Sequence, residues 1–458
     1  MTFTCYGGAQ TVTGSKHMLT LENGTKILLD CGMFQGRGTI KQYNSDFGFD
    51  PESISYLILS HAHIDHSGLI PRLVKLGFKG KIFCTPPTAE LAALILADSA
   101  HLHESEEDVN MHSKDGPLYT KEDVEDAIRL FSVVPYNQPY MIDDQVELLF
   151  TDAGHILGSA VVNLTITQGR RKKQICFTGD IGRFNNRILN APQEFPSADY
   201  IICESTYGDR LHEALENTEE KLRKIIIETC IEKKGKLLIP AFSIGRTQEL
   251  IYSLNILAEE GRLPKIQVFV DSPTSVYATD ILRNNMEYFN PSMQEYIKTD
   301  EDPFGFKNLH FITETSESIQ LKQLDEPCVI ISSSGMMEGG RIRHHLINTI
   351  EDERNTVLIT GYCEPSTLGG QLTKGAKEVT IFDKPYTVRA EIQFMKEYSA
   401  HGDYGDMLKF LFHQDKEKLR HLFLVHGEEA VMQKFKTSLQ EEGYEHIEIP
   451  EYRISYSL

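Results

Sequence analysis

Four of the six residues in HAHIDH (His61 to His66) carry metal-binding side chains, and the motif follows directly on an apolar β-type run, ISYLILS (Ile54 to Ser60). Among 17 histidines no single one is diagnostic. His61, His63, Asp65 and His66 crowded into one short loop are another matter, because such a set is costly to bury without a cation. The chain must therefore fold so that a strand end delivers this loop to an interior site, with Gly68 permitting a tight exit into a helix from Leu69. Imidazole and carboxylate donors without a thiolate suit zinc or a similar borderline ion, and an open coordination position makes such a site catalytic. A pair of ions needs more donors. His155 in DAGHILGSA, Asp180 in TGD and His426 in LVHGE each follow or end a β-type run beside small residues, and they are the candidates.

The run KHMLTLENGTKILLDCG reads as two alternating strands joined at Asn23-Gly24, a two-residue hairpin signal, and QICFTGD (Gln174 to Asp180) is a further strand ending at an aspartate. From Asn217 the pattern changes. A helix is expected there with Asn217 as N-cap, Glu220 at the capping-box position, Leu222, Ile225 and Ile226 on one face, and Gly235 as its stop. Strand and helix then alternate: KLLIPAFS and a helix from Gly245, IQVFVDS and a helix from Thr274, NLHFIT and a helix near Ser318, CVIISSSG and a helix from Gly340, then NTVLITGY. Such alternation predicts a doubly wound, largely parallel sheet as a second domain. After Lys384, SAHGD (Ser399 to Asp403), a helix through Leu411 and HLFLVHGEE (His421 to Glu429) bring polar motifs back, which implies a return to the first domain. The expected division is 1–207, 208–388 and 389–458.

A length of 458 residues with 40% hydrophobic content allows two or three ordinary globular domains. The amino terminus has neither a basic flank nor an apolar core, and no apolar run is long enough to span a bilayer, so a cytoplasmic protein with no membrane contact is expected. The 8 cysteines include no CxxC pair and read as buried free thiols. A net charge of −20 excludes broad, sequence-independent adhesion to nucleic acid, which depends on Lys and Arg neutralising phosphates. It does not exclude a basic cleft or the local charge of bound metal. The run Arg170 to Lys173 is expected to be a solvated turn ahead of a strand.

HAHIDH followed by His155 and Asp180, with Asp30 in LLDCG ahead of them, resembles the signature of the metallo-β-lactamase superfamily over the whole chain. Glu204 in ICESTYGDR, His401 in SAHGD and His426 in LVHGE resemble motifs A, B and C of its β-CASP nucleases, and PAFSIGRTQEL and SSSGM with GGR resemble the inserted β-CASP domain. The resemblance implies an α/β chain: a four-layer αββα sandwich interrupted by a doubly wound parallel β-CASP domain. It also implies two zinc ions, one on His61, His63 and His155, the other on Asp65, His66 and His426, with Asp180 bridging and Asp30 behind the ligands. The motif C histidine favours RNA over DNA as substrate. The chain is similar to compact bacterial and archaeal nucleases related to the cleavage nuclease of the polyadenylation complex, since it ends too soon after motif C for the extra domain expected of RNase J.

The expected activity is hydrolysis of single-stranded RNA by a metal-bridging hydroxide, oriented by Asp65 or Asp180. His401 is the expected general acid, with Glu204 holding its tautomer and raising its pKa. Ser399, Ser333, Ser334 and Arg341 are the expected phosphate contacts. Two other classes compete: a hydrolase of small esters or thioesters, against which the large insertion argues, and a non-catalytic RNA-binding subunit, against which the complete set of candidate ligands argues. Nothing in the sequence decides whether two copies form a homodimer.

Overall fold

A computed structural model describes residues 1–36, 42–104, 117–212 and 217–458. The chain divides into two compact units, one formed by Met1–Leu211 with His401–Leu458 and one by His212–Ala400.

The first unit is built on two seven-stranded sheets. One has the spatial order Ser455–Ser457, Thr2–Gly7, Lys16–Thr20, Lys26–Leu29, Tyr56–Ile58, Lys81–Cys84 and Phe131–Val133. The other runs Ile447–Glu448, His421–Val425, Tyr200–Glu204, Arg171–Phe177, Ala160–Gln168, Val146–Asp152 and Tyr140–Met141. Alternation along the strands decides what lies between them. Phe3, Leu19, Ile27, Leu29 and Ile58 of the first sheet share one buried cluster with Phe150, Val162, Leu164, Phe177, Ile202 and Phe423 of the second. The intervening residues Val161, Cys176, Ile201, Cys203 and Leu422 face the other way, onto Met407, Phe410, Met432 and Phe435 of helices Tyr404–Leu411 and Glu429–Glu441. Helices Ile70–Lys75, Pro86–Glu104 and Lys121–Ile128 pack with one another beside the first sheet. The result is the four-layer αββα sandwich.

The second unit carries a six-stranded parallel sheet in the order Leu309–Ile312, Gln267–Asp271, Cys328–Ser332, Leu237–Pro240, Thr356–Ile359 and Glu391–Phe394. The expected boundary at residue 388 is corrected: Glu391–Phe394 pairs in parallel with Thr356–Ile359, so the second unit extends to Ala400. Edge strands with polar, part-exposed side chains lack the apolar run that marks the interior ones.

Local chemistry departs from the sequence expectation at three places. The Asn23-Gly24 turn is a three-residue loop, because Leu21 N–H donates to Thr25 O at 2.8 Å and Gly24 N–H to Leu21 O at 3.0 Å. Only Gly24 of that pair has positive φ, +90°, whereas the two-residue type I′ turn needs it at both. Asn217 precedes helix Thr218–Ile226 in the left-handed region and makes no capping bond. Glu220 pairs with Arg223 and Arg262 instead of closing a capping box. The helix after SAHGD is capped by Asp403, which forms a reciprocal box with Asp406. The basic run lies largely inside strand Arg171–Phe177, paired with Ala160–Gln168.

All eight cysteines are free, seven of them buried. No helix among the described residues is long and apolar enough to cross a membrane.

Candidate metal centre

Every candidate ligand belongs to the first unit and sits where a strand of one of its sheets ends. HAHIDH follows Tyr56–Ile58; His155, Asp180, Glu204 and His426 follow or end four strands of the other sheet. The motif is not one loop: His63 caps a short helix, Ile64–Ser67, which sets Asp65 and His66 on a helical turn. This split directs the two halves of the motif to different clusters.

In the first cluster His63 Nδ1 lies 3.2 Å from both His61 Nε2 and His155 Nε2. Asp180 Oδ2 is 3.4 Å from the His61 nitrogen and 3.5 Å from that of His155. In the second, His66 Nε2 is 3.1 Å from His426 Nε2, which is 3.4 Å from Asp65 Oδ2. The other oxygen of Asp180, Oδ1, is 3.2 Å from His66 Nε2. Asp180 therefore presents one oxygen to each cluster. Donors about 2.0–2.1 Å from a tetrahedral zinc stand about 3.3 Å from one another, which is the spacing found. Asp180 is buried, and a donor set of imidazoles and carboxylates without a thiolate suits borderline divalent ions. The residues fit two divalent ions.

Groups behind the ligands fix their orientation. Asp30, fully buried and in the left-handed region at φ +59°, accepts from Ser60 N–H at 2.7 Å, from Ser60 Oγ at 2.7 Å and from His66 Nδ1 at 2.6 Å. Ser60 Oγ also lies 3.0 Å from His61 Nδ1, and Thr206 Oγ1 lies 3.1 Å from His426 Nδ1. Each contact leaves the Nε2 atom facing its cluster. Neither hydroxyl was anticipated from the sequence; only the place of Ser60, immediately before HAHIDH, hinted at a role.

The electrostatics follow from burial. It lowers the His61 pKa to about 3, with His66 reinforcing the shift, and that of His63 to about 4, so both rings are neutral and ready to donate lone pairs. His66 differs. Burial disfavours its charge, but Asp180 and Asp30 outweigh that and hold it protonated. Asp180 is itself buried, yet the surrounding histidines keep it ionised. A cation arriving here would displace the His66 proton and supply the positive charge these carboxylates require.

His401 stands beside the clusters, with Nε2 3.8 Å from Asp180 Oδ2 and Nδ1 3.1 and 3.2 Å from the two oxygens of Glu204. Burial works against its charge, but Glu204 and Asp180 overcome it and raise the pKa to about 9. Glu204 is fully buried and held by Ile181 N–H at 2.6 Å and Thr206 N–H at 3.3 Å.

The expected phosphate contacts belong to the second unit. Ser399 is nearly buried. Ser333 Oγ is 2.8 Å from Ser272 Oγ, and Ser334 Oγ donates to Gly339 O at 3.3 Å. Arg341 donates to Asp271 Oδ1 at 2.7 Å and to Thr313 O at 2.6 Å, so its guanidinium braces strand ends within the unit.

Comparison with known proteins agrees with this geometry. Residues 18–226 match the metallo-β-lactamase superfamily, 247–372 the Beta-Casp domain, and 385–450 the Zn-dependent metallo-hydrolase RNA specificity domain. The chain is 32% identical to Ribonuclease TTHA0252 of Thermus thermophilus, over 93% of this chain and 92% of that protein. It is 32% identical to the RNase J-like protein of Methanocaldococcus jannaschii, covering 92% and 91%. It is 30% identical to Transcription termination factor FttA of Methanosarcina mazei, covering 93% and 67%. With two histidine and aspartate clusters sharing Asp180, and with these matches along its length, the chain belongs to the β-CASP family of the metallo-β-lactamase superfamily.

Proposed function

We propose that this protein is a zinc-dependent ribonuclease that hydrolyses phosphodiester bonds of single-stranded RNA, in RNA processing or decay. The observation that carries the reading is the His401–Glu204 pair set against an aspartate shared by two ligand clusters. A pair of divalent ions held there would supply a nucleophile at neutral pH and positive charge for the phosphate oxygens.

The chain's own residues supply the rest. His61, His63 and His155 form one ligand set, Asp65, His66 and His426 the other, and Asp180 joins them, with ring orientations kept by Ser60, Asp30 and Thr206. Glu204 holds Nδ1 of His401, which leaves the proton on Nε2 to pass to the departing sugar oxygen. Its raised pKa keeps His401 an acid at neutral pH. Ser399, Ser333, Ser334 and Arg341 are the proposed phosphate contacts, with the Arg341 guanidinium held in place by Asp271. Relatives named as a ribonuclease and an RNase J-like protein support RNA as the substrate.

The test is incubation with labelled single-stranded RNA, with the same RNA carrying one internal deoxynucleotide at the cut site, and with a thioester panel. Both RNAs should be cut to 5′-phosphate products. Turnover of thioesters alone sinks the proposal, and a complete block at the deoxynucleotide identifies the neighbouring 2′-hydroxyl as the nucleophile.

A further inference from the structure

Lys16 is fully buried, although a lysine is ordinarily kept at the surface by the cost of desolvating its ammonium. Among the described residues no carboxylate lies within ion-pair distance of it. Its Nζ donates to Gly14 O at 3.0 Å and to Gly32 O at 2.7 Å, and it stands 4.3 Å from the centre of the Phe34 ring. Burial lowers its pKa to about 7, and a neutral amine still has the two hydrogens that these carbonyls need.

The two segments joined by this side chain bond directly to the second ligand cluster and reach the first indirectly, through Asp30 and Ser60. From the segment ending at Lys16, Ser15 N–H donates to Asp65 O at 2.8 Å, and Gly8 O accepts from His426 N–H at 2.7 Å. From the segment around Gly32, Cys31 N–H donates to His66 O at 2.7 Å and Met33 N–H to Ile64 O at 3.0 Å. Gly32 N–H in turn donates to Ser15 O at 2.8 Å. All three members of the second cluster thus rest, through their main chains, on the two segments that Lys16 clasps. The packing leaves no room for slack. A Cβ on Gly32 would fall 1.6 Å from Asp65 O, and one on Gly7 would fall 1.8 Å from Gly14 O. His61 is oriented instead through Ser60 and Asp30, and His155 through its own turn, where Ser159 Oγ accepts from its N–H at 3.0 Å.

We propose that Lys16 is a positioning residue for the Asp65–His66–His426 cation site, setting the affinity of that site while leaving the His61–His63–His155 site alone. The inference rests on the reading of a two-cation centre.

The experiment is reconstitution of metal-free wild-type, Lys16→Met and Lys16→Gln proteins with zinc, measuring ions bound per chain and the stepwise affinities, with circular dichroism to confirm folding. Wild type should take up two ions. Lys16→Met should leave one step unchanged and weaken the other about tenfold or more, the range typical of groups that orient ligands. Lys16→Gln, which retains donor hydrogens on a shorter arm, should show a smaller shift in the same step, and it carries the test if the methionine variant does not fold. A folded variant with both affinities unchanged, or with both weakened equally, overturns the positioning role. A wild-type chain that binds a single ion overturns the two-cation reading itself, and the role of Lys16 with it.

Discussion

His401 shows how much of the chemistry is decided by one side chain's surroundings. Its ring is part-buried among carboxylates, with Glu204 at Nδ1 and Asp180 facing Nε2, so it holds a proton without being tied to either ligand cluster. Replacing it with Ala should lower turnover by roughly 10²–10⁴ with zinc content intact, as measured by single-turnover cleavage alongside metal analysis. Loss of zinc in that variant reassigns His401 as a ligand. Lys16 makes a prediction of the opposite electrostatic kind. Its pKa falls from 10.5 to about 7 on folding because burial disfavours the charge. Below pH 7 the ammonium is present in both states, and the folded state bears the full cost. Between about 7 and 10.5 the unfolded state binds the extra proton, so stability rises with pH, by on the order of 5 kcal/mol across the window. Denaturant midpoints of wild type should climb relative to Lys16→Met over that range, and parallel curves would show that Lys16 keeps an ordinary pKa.

Among the elements, the turns and short helices do the placing. Gly24 and Gly32 are both glycines for backbone reasons, but not the same ones. Gly24 turns the first hairpin at φ +90°, and a Cβ added there would meet nothing within 4 Å, so Gly24→Ala should cost about 1 kcal/mol and leave zinc binding unchanged. Gly32 has ordinary φ but no space. Gly32→Ala forces the Asp65 main chain aside and should cost roughly 1–3 kcal/mol while weakening zinc uptake. Urea titration and metal analysis of the pair separate the two effects; equal zinc affinity in both variants would mean that the Asp65 turn tolerates displacement. The helical turn Ile64–Ser67 matters for the same reason. It sets Asp65 and His66 beside His426, so one six-residue motif serves two clusters.

Across the molecule, the first unit brings candidate ligands from positions as far apart as His61 and His426 to the ends of two sheets whose inner faces share one apolar core. A divalent cation would stabilise those buried histidines and carboxylates beyond the charge that His66 supplies by itself. Removing metal with a chelator should therefore lower the thermal midpoint of the first unit, by several degrees at zinc concentrations well above its dissociation constant. Calorimetry with and without chelator measures this, and coincident transitions would mean that the clusters stand without a cation.

What the sequence determined is what short-range pattern can encode. HAHIDH after a strand, the strand-and-helix alternation after Asn217, and the order of His155, Asp180, Glu204, His401 and His426 carried the parallel second sheet and the candidate centre, because residue type and local periodicity are written in neighbouring positions, while the sandwich came only through the family resemblance of those motifs. Tertiary structure alone decided the rest. The edge strand Glu391–Phe394 has no apolar run of its own and exists through pairing with Thr356–Ile359. The turn at Gly24 and the unused cap at Asn217 depend on where the flanking elements are held, not on the residues' own preferences. Ser60, Thr206 and Lys16 acquire their roles only when distant segments meet, since a hydroxyl or an amine becomes a positioning group by what folding places within hydrogen-bond reach of it.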